Sequence, residues 1–167
     1  MPDEKKLGEC FKEGEKGGER HKGLKKIVAD KDRVRCHLDK AIHNFRAMAS
    51  FQKIGFSDWS ASAAFYTLYH CLLALVAKEG YESRNQSCTF ALVEDMIEKG
   101  KISLTKADVR EIFDKDVTTD LEHSNKILDL RENWQYSTKT ALEEEEFLEL
   151  KRRIKKLFDK MRKDIEK

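Results

Sequence analysis

Residues 59–78 read WSASAAFYTLYHCLLALVAK, and this stretch decides the fold class. Its apolar residues point in nearly every direction around a helix, which is typical of the buried centre of a helical protein. Ser57 and Asp58 are suitable N-caps for this helix, and Gly80 is its C-terminal stop. The polar residues on the helix, which need hydrogen-bond partners if they are buried, are Tyr66, Tyr69 and His70.

Apolar residues repeat at helical spacing on both sides of this stretch. We predict helices over 24–53, 89–99 and 105–113, one that starts near Thr119 and carries Arg131, and one that starts at Thr140. The last of these shows Thr140 and Glu143 at the spacing of a capping box. No stretch alternates convincingly as a strand would. The sequence therefore predicts an all-α fold, an antiparallel up-and-down bundle of four long helices plus short ones, formed by residues 24–167.

Residues 1–23 hold five of the eight glycines and are dense in Lys and Glu. Such a segment buries little apolar surface, so we expect a disordered, charged N-terminal arm. No run of eighteen apolar residues and no apolar signal core occurs, which predicts neither a membrane span nor secretion. The cysteines lack Cys-x-x-Cys spacing and the histidines lack two-ligand spacing. We therefore expect reduced thiols, a cytoplasmic location, and no metal or other cofactor.

The stretch 128–136, LDLRENWQY, interrupts a core-facing helical stripe with Arg131. A buried arginine is costly unless its guanidinium finds acceptors or reaches water. Two interpretations stay open: Arg131 extends to solvent or is structurally paired, or it serves a polar site. Tyr136 lies five residues later, about 140° around an ideal helix. The two side chains converge only if the helix loosens near Tyr136, or if a second subunit supplies its copy.

Three stretches together resemble the HEPN domain family. They are Leu38-Asp39-Lys40-Ala41 through Phe45, the aromatic-rich 63–73 segment, and Arg131 to Tyr136, which is similar to the family's Arg-x4–6-His motif. Their order and spacing cover roughly residues 34–161. In this chain the motif's final histidine is replaced by Tyr136.

The resemblance implies a nucleotide- or RNA-binding protein of a toxin–antitoxin or defence module. It implies a homodimer, a minimal nucleotidyltransferase as antitoxin partner, and metal-independent endoribonuclease activity that uses the RNA 2′-hydroxyl. Because a tyrosine with a pKa near 10 is a poorer base than histidine, binding without cleavage is the favoured form. The implied site residues are Arg131, Asn133 and Tyr136 for catalysis and nucleotide or RNA binding, with His70 as an auxiliary binding group.

A second hypothesis comes from another functional class. In it, the protein is a non-catalytic helical dimerisation or protein-interaction module. Arg131 and Tyr136 then stabilise a dimer, and no nucleotide or RNA binds. Titration with nucleotide separates the two hypotheses.

Overall fold

The structure is a computed structural model that describes residues 4–112 and 127–167, without the side chains of 128–130, 132 and 133. The described residues are mainly helical, as the sequence predicted. Their elements, in order, are α1 (Glu4–Lys16), a 3-10 turn (Gly18–Arg20), β1 (Leu24–Lys26), α2 (Lys31–Lys53), a second 3-10 turn (Ser57–Trp59), α3 (Ser60–Lys78), β2 (Tyr81–Ser83), α4 (Gln86–Glu98), α5 (Lys106–Ile112), α6 (Ile127–Tyr136) and α7 (Glu144–Glu166).

Helix α3 lies at the centre, as its all-round apolar sequence predicted. Helices α2, α6 and α7 all pack on it, and Phe65, Leu68 and Leu72 are fully buried. The buried polar groups of α3 are paired: the Tyr69 hydroxyl lies 3.1 Å from Thr89 Oγ1, and Thr67 donates to the Ala63 carbonyl. Tyr69 is therefore a core residue with a satisfied hydroxyl.

The same helix passes a simple test for a membrane span. Within the described residues, Ser57–Lys78 is long and apolar enough to cross a membrane, and 72% of its most apolar window is buried inside the protein. The central helix of a soluble protein passes the same test, so length and composition do not separate the two cases.

Helices α2 and α7 flank the core and differ in how they begin. The Asp30 side chain accepts a hydrogen bond from the Asp32 backbone N–H at 2.9 Å and caps α2. Helix α7 begins at Glu144 rather than at Thr140, because Glu143 is extended and the expected capping box does not form. The preceding segment is held instead by the Leu142 N–H, which donates to Ser57 Oγ at 2.8 Å.

The short helices depend on their caps. Thr105 and Asp108 form the capping box expected from the sequence, with reciprocal bonds of 2.9 and 3.1 Å. Helix α4 begins at Gln86, three residues earlier than predicted, because Asn85 Oδ1 accepts from the Cys88 N–H. The predicted helix start near Thr119 lies outside the described residues.

A two-stranded antiparallel sheet was not predicted. Leu24 pairs with Ser83, and Lys26 with Tyr81, where the sequence analysis expected a helix and a polar loop. Each strand has three residues, which is too short to show alternation, and the two lie far apart in the chain. Their pairing is a tertiary contact that periodicity does not report.

The N-terminal segment, residues 4–26, differs from the disordered arm that we expected. Helix α1 packs against β1 and α4, and its Cys10 forms a disulfide with Cys88. The glycines that suggested disorder instead allow close packing: a Cβ at Gly14 would overlap the Leu24 carbonyl, and one at Gly23 would overlap the Cys10 carbonyl. The disorder predicted from the glycine content was therefore wrong for these residues, because composition does not show which backbone atoms each glycine contacts.

Glu82 of β2 fixes this segment to the rest of the protein. Nε2 of the buried His21 lies 2.9 Å from Glu82 Oε1, and Arg33 and Arg84 donate to the same carboxylate. Burial by itself would raise the pKa of Glu82, but the hydrogen bonds from Arg33 and His21 lower it to about 2. The Gly23 N–H donates to His21 Nδ1, so Nε2 carries the proton that His21 donates to Glu82.

The cysteines also differ from the expectation of four reduced thiols. Cys10 and Cys88 are 78 residues apart in sequence, with Cα atoms 5.8 Å apart. Cys36 and Cys71 are free, and burial raises the pKa of the Cys71 thiol to about 12. Cys71 is therefore the small buried hydrophobe that its apolar surroundings predicted.

Candidate functional site

Arg131 lies half-buried against the aromatic side chains of α3. Its guanidinium carbon is 4.9 Å from the centre of the Phe65 ring and 5.6 Å from that of Tyr66. Its Nη1 donates to the Tyr66 hydroxyl at 3.3 Å. Stacking on the aromatic faces and the bond to Tyr66 hold the charged group in one place. The arginine of the core-facing stripe is thus positioned by α3.

His70 of α3 is paired with His37 of α2. Their Nδ1 atoms are 3.2 Å apart, and the ring centres are 5.5 Å apart. Both residues are half-buried. Burial lowers the pKa of His70 to about 4, helped by the charges of His37 and Lys40. Burial and Arg33 lower the pKa of His37 against the opposing effect of Glu82.

A single strip of α3 joins these two contacts. Its half-buried residues on this side are Ser62, Tyr66, His70 and Leu73. Residues four apart on a helix stand one above the other, about 5–6 Å between Cβ atoms. The Tyr66–Arg131 contact is therefore one helical turn from the His70–His37 contact. We call these four side chains the α3 groove: Arg131 of α6 contacts its Tyr66, and His37 of α2 contacts its His70.

Positive charges act on both imidazoles in addition to burial. Arg33 lowers the pKa of His37 and Lys40 lowers that of His70, so both rings are neutral at neutral pH. Glu82, the carboxylate that acts on His37, is bonded to Arg33 and His21. The arrangement favours a small anion next to groups that can accept or donate a proton.

Tyr136 is not part of the α3 groove. Tyr136 is 81% exposed at the last residue of α6. Because α6 remains helical up to that residue, its side chain is turned away from Arg131 of the same chain. The structure does not describe the side chain of Asn133. Arg131 and His70 are both connected to this strip of α3, through Tyr66 and on α3 itself, and Tyr136 is not.

His37 was not predicted as a site residue, and Tyr66 was predicted only as a polar residue on the otherwise apolar central helix. His37 precedes Leu38, which belongs to the apolar stripe of α2, so its position predicted a residue beside the core. Its pairing with His70, 33 residues later, depends on how α2 packs on α3. The available signal was the pair of half-polar positions Tyr66 and His70 at i and i+4.

The part of the chain that the structure describes includes two surface cavities elsewhere. The larger, about 620 Å³, lies between the start of α2 and the end of α7 and has Val34, Leu38 and Ile165 in its lining together with the basic Lys31 and Arg35. The smaller, about 230 Å³, lies beside Ser103 and Asp164. Neither is lined by Arg131, His37 or His70.

No protein-family model matches the chain, and no curated protein matches it. Among residues 4–112 and 127–167, no group of three or more His, Cys, Asp or Glu side chains is arranged to hold a metal ion.

Proposed function

We propose that the protein is a HEPN-type nucleotide- or RNA-binding protein of a toxin–antitoxin or defence module, and that it binds phosphate in the α3 groove. Its helices then form the antiparallel bundle of that family. The observation that carries the proposal is Arg131, which is half-buried over Phe65 and bonded to Tyr66, the residue one helical turn from His70 on α3.

The physical support is preorganisation. A planar guanidinium presents its N–H donors as a fork that matches two phosphate oxygens. The rings of Phe65 and Tyr66 already fix its position, so a ligand need not order a free side chain.

The test is a binding titration with ATP and with a short single-stranded RNA, followed by calorimetry or fluorescence anisotropy. Arg131→Gln is expected to weaken binding by about 1.5–3 kcal/mol, roughly 10- to 100-fold, the value of a hydrogen bond to a charged group. Arg35→Gln is the matched control, because Arg35 is an exposed arginine that lines the larger cavity. Equal binding by Arg131→Gln and the parent would contradict the proposal, and loss with Arg35→Gln would move the site to that cavity.

Metal-independent endoribonuclease activity belongs to the same proposal. In the family, cleavage requires the motif histidine and two motifs that meet across a dimer. Tyr136 stands at that position and is exposed at the end of α6, where a second subunit can reach it. Tyr136→His is then expected to create or raise cleavage that resists chelators and leaves a 2′,3′-cyclic phosphate. Unchanged cleavage in this variant would count against a role for position 136.

The partners proposed with this function are a second copy of the chain and a minimal nucleotidyltransferase antitoxin. The proposed location is the cytoplasm, with no membrane association. The Cys10–Cys88 disulfide is the feature that tests the location, because such bonds are rare in reducing compartments. Alkylation of thiols in intact cells, followed by mass spectrometry, reports whether this pair is oxidised there.

The non-catalytic interaction module is the second candidate. A specific observation favours it: large apolar side chains are exposed around the α2–α3 connection and at the end of α6. These are Ile54, Phe56, Trp59 and Tyr136. The turn that carries Trp59 packs on α6, so the exposed residues lie in one neighbourhood. Light scattering at tens of micromolar tests it: Trp59→Ser is expected to shift a dimer to monomer, and ligand binding should be absent throughout.

A further inference from the structure

The His37–His70 pair can act as an acid and a base at the same time. Their Nδ1 atoms are 3.2 Å apart, the distance of a hydrogen bond. One Nδ1 must then carry the proton while the other offers its lone pair. The ring that donates from Nδ1 has an unprotonated Nε2, and the ring that accepts has a protonated Nε2. Two neutral imidazoles therefore present one base and one acid.

The surroundings keep both rings in this neutral state. Burial is the largest cause that lowers each pKa, and the positive charges of Arg33 and Lys40 act in the same direction. Glu82 opposes the shift at His37, but it is bonded to Arg33, His21 and Arg84. Both rings are only half-buried, so a ligand in the α3 groove can reach them.

We propose that His37 and His70 are the catalytic acid–base pair for RNA cleavage in the α3 groove. This inference rests on the proposed function, because it needs RNA bound there. The unprotonated Nε2 of one ring takes the proton of the 2′-hydroxyl. The 2′-oxygen then forms a bond to phosphorus, the bond from phosphorus to the 5′-oxygen breaks, and that oxygen takes a proton from Nε2 of the other ring.

The proton between the two Nδ1 atoms moves across their hydrogen bond in the same step. Both rings end neutral with their roles exchanged, and the products are a 2′,3′-cyclic phosphate and a 5′-hydroxyl. No metal, oxidant or reductant is consumed. With the roles exchanged, the pair is also set to hydrolyse the cyclic phosphate, which is the same transfer run in the opposite direction with water.

Arg131 completes this arrangement as the group that binds the non-bridging phosphate oxygens. Its guanidinium is held at Tyr66, one turn along α3 from His70. A fixed cation next to a developing phosphorane charge stabilises the transition state.

The experiment uses the full chain, a 5′-labelled single-stranded RNA of mixed sequence, and EDTA throughout. His37→Asn and His70→Asn are made separately, so a folding defect in one leaves the other informative. Asparagine places its amide near the former Nδ1 and can keep the internal hydrogen bond, but it has no Nε2. His43→Asn is the matched control, because His43 is an exposed histidine of α2.

We expect each of the two variants to cleave about 10²- to 10⁴-fold more slowly than the parent, the contribution of general acid–base catalysis. RNA affinity should stay within about threefold, since Arg131 is intact, and His43→Asn should behave as the parent. RNA that is 2′-O-methylated throughout should bind and stay uncut. Parent protein that binds RNA without cutting it, or variants that cut as fast as the parent, would overturn the acid–base pair and leave the proposed function standing. A parent that binds no RNA would overturn both.

Discussion

The N-terminal segment and helix α6 are opposite cases of how polar residues are used. In the N-terminal segment, Cys10 and His21 are buried and their partners Cys88 and Glu82 belong to the protein itself. In α6, Arg131 is half-buried against Phe65 and Tyr66, and one helical turn along α3 the half-buried His70 is paired with His37. On the proposed function, the buried pairs stabilise the fold, whereas the half-buried side chains also contact a ligand. Substitutions should therefore separate stability from binding.

The largest expected effect on stability is removal of the disulfide. Cys10→Ser with Cys88→Ser is expected to lower the free energy of unfolding by about 2–5 kcal/mol, because the bond closes a long loop in the unfolded chain. Urea unfolding of parent and variant, under oxidising and non-oxidising conditions, measures this loss of free energy of unfolding. RNA or nucleotide affinity should not change. Superimposable curves for parent and variant would show that the N-terminal segment is not held by this bond.

Glu82→Gln is the next test of the same region. It weakens three contacts to one carboxylate and is expected to cost about 1.5–3 kcal/mol. The pKa of Glu82 is lowered from 4.5 to about 2, so its contribution is complete above pH 4.5 and is lost as the pH falls toward 2. The difference in the free energy of unfolding between parent and variant, measured by urea unfolding, should be smaller at pH 3 than at pH 7. Glu149→Gln, which breaks a surface pair with Arg152, is the control and should have little effect.

Arg131→Gln is expected to reduce ligand affinity more than stability, the reverse of the two preceding substitutions. It loses stacking on Phe65 and Tyr66, so the free energy of unfolding should fall by only about 0.5–2 kcal/mol. Its main effect is the loss of ligand affinity described above. Thermal unfolding with and without ATP measures both, because a bound ligand stabilises the native state by mass action. A large loss of stability with intact ligand stabilisation would place Arg131 with the structural residues instead.

The smallest expected effect concerns the pH dependence that His70 adds. The pKa of His70 falls from 6.5 to about 4 on folding, so the unfolded chain binds its proton first. The contribution of His70 to the free energy of unfolding is therefore fully present above pH 6.5 and is lost as the pH falls toward 4. His70→Asn should flatten this part of the stability profile. The relevant charges around the ring are His37 and Lys40, with Arg33 and Glu82 acting on His37. If the free energy of unfolding depended on pH identically in parent and variant, His70 would not be the source of this pH dependence.

The fold class was predictable because it depends on local patterns. The apolar residues of 59–78 predicted a central helix, and α3 spans Ser60–Lys78 with fully buried Phe65 and Leu72. The Thr105–Asp108 capping box formed as its spacing predicted. Helical periodicity and capping involve residues within one or two turns of each other, so the sequence reports them directly.

The N-terminal segment was not predictable in the same way. Its glycines suggested disorder, yet Gly14 and Gly23 are positions where two backbones touch. The three-residue strands and the Cys10–Cys88 bond join parts of the chain that are far apart in sequence. Composition describes each residue alone, and close approach is a property of pairs.

The sequence by itself determined that the chain is mainly helical, that 59–78 forms its centre, and that Arg131 is an unusual residue on a core-facing stripe. Only the tertiary structure decided what Arg131 contacts and which histidine stands beside His70. The reason is geometric: the 3.6-residue period fixes which face of a helix a residue occupies, but the packing of α2 and α6 on α3 decides which faces meet. The pairing of His37 with His70 exists because those helices pack as they do.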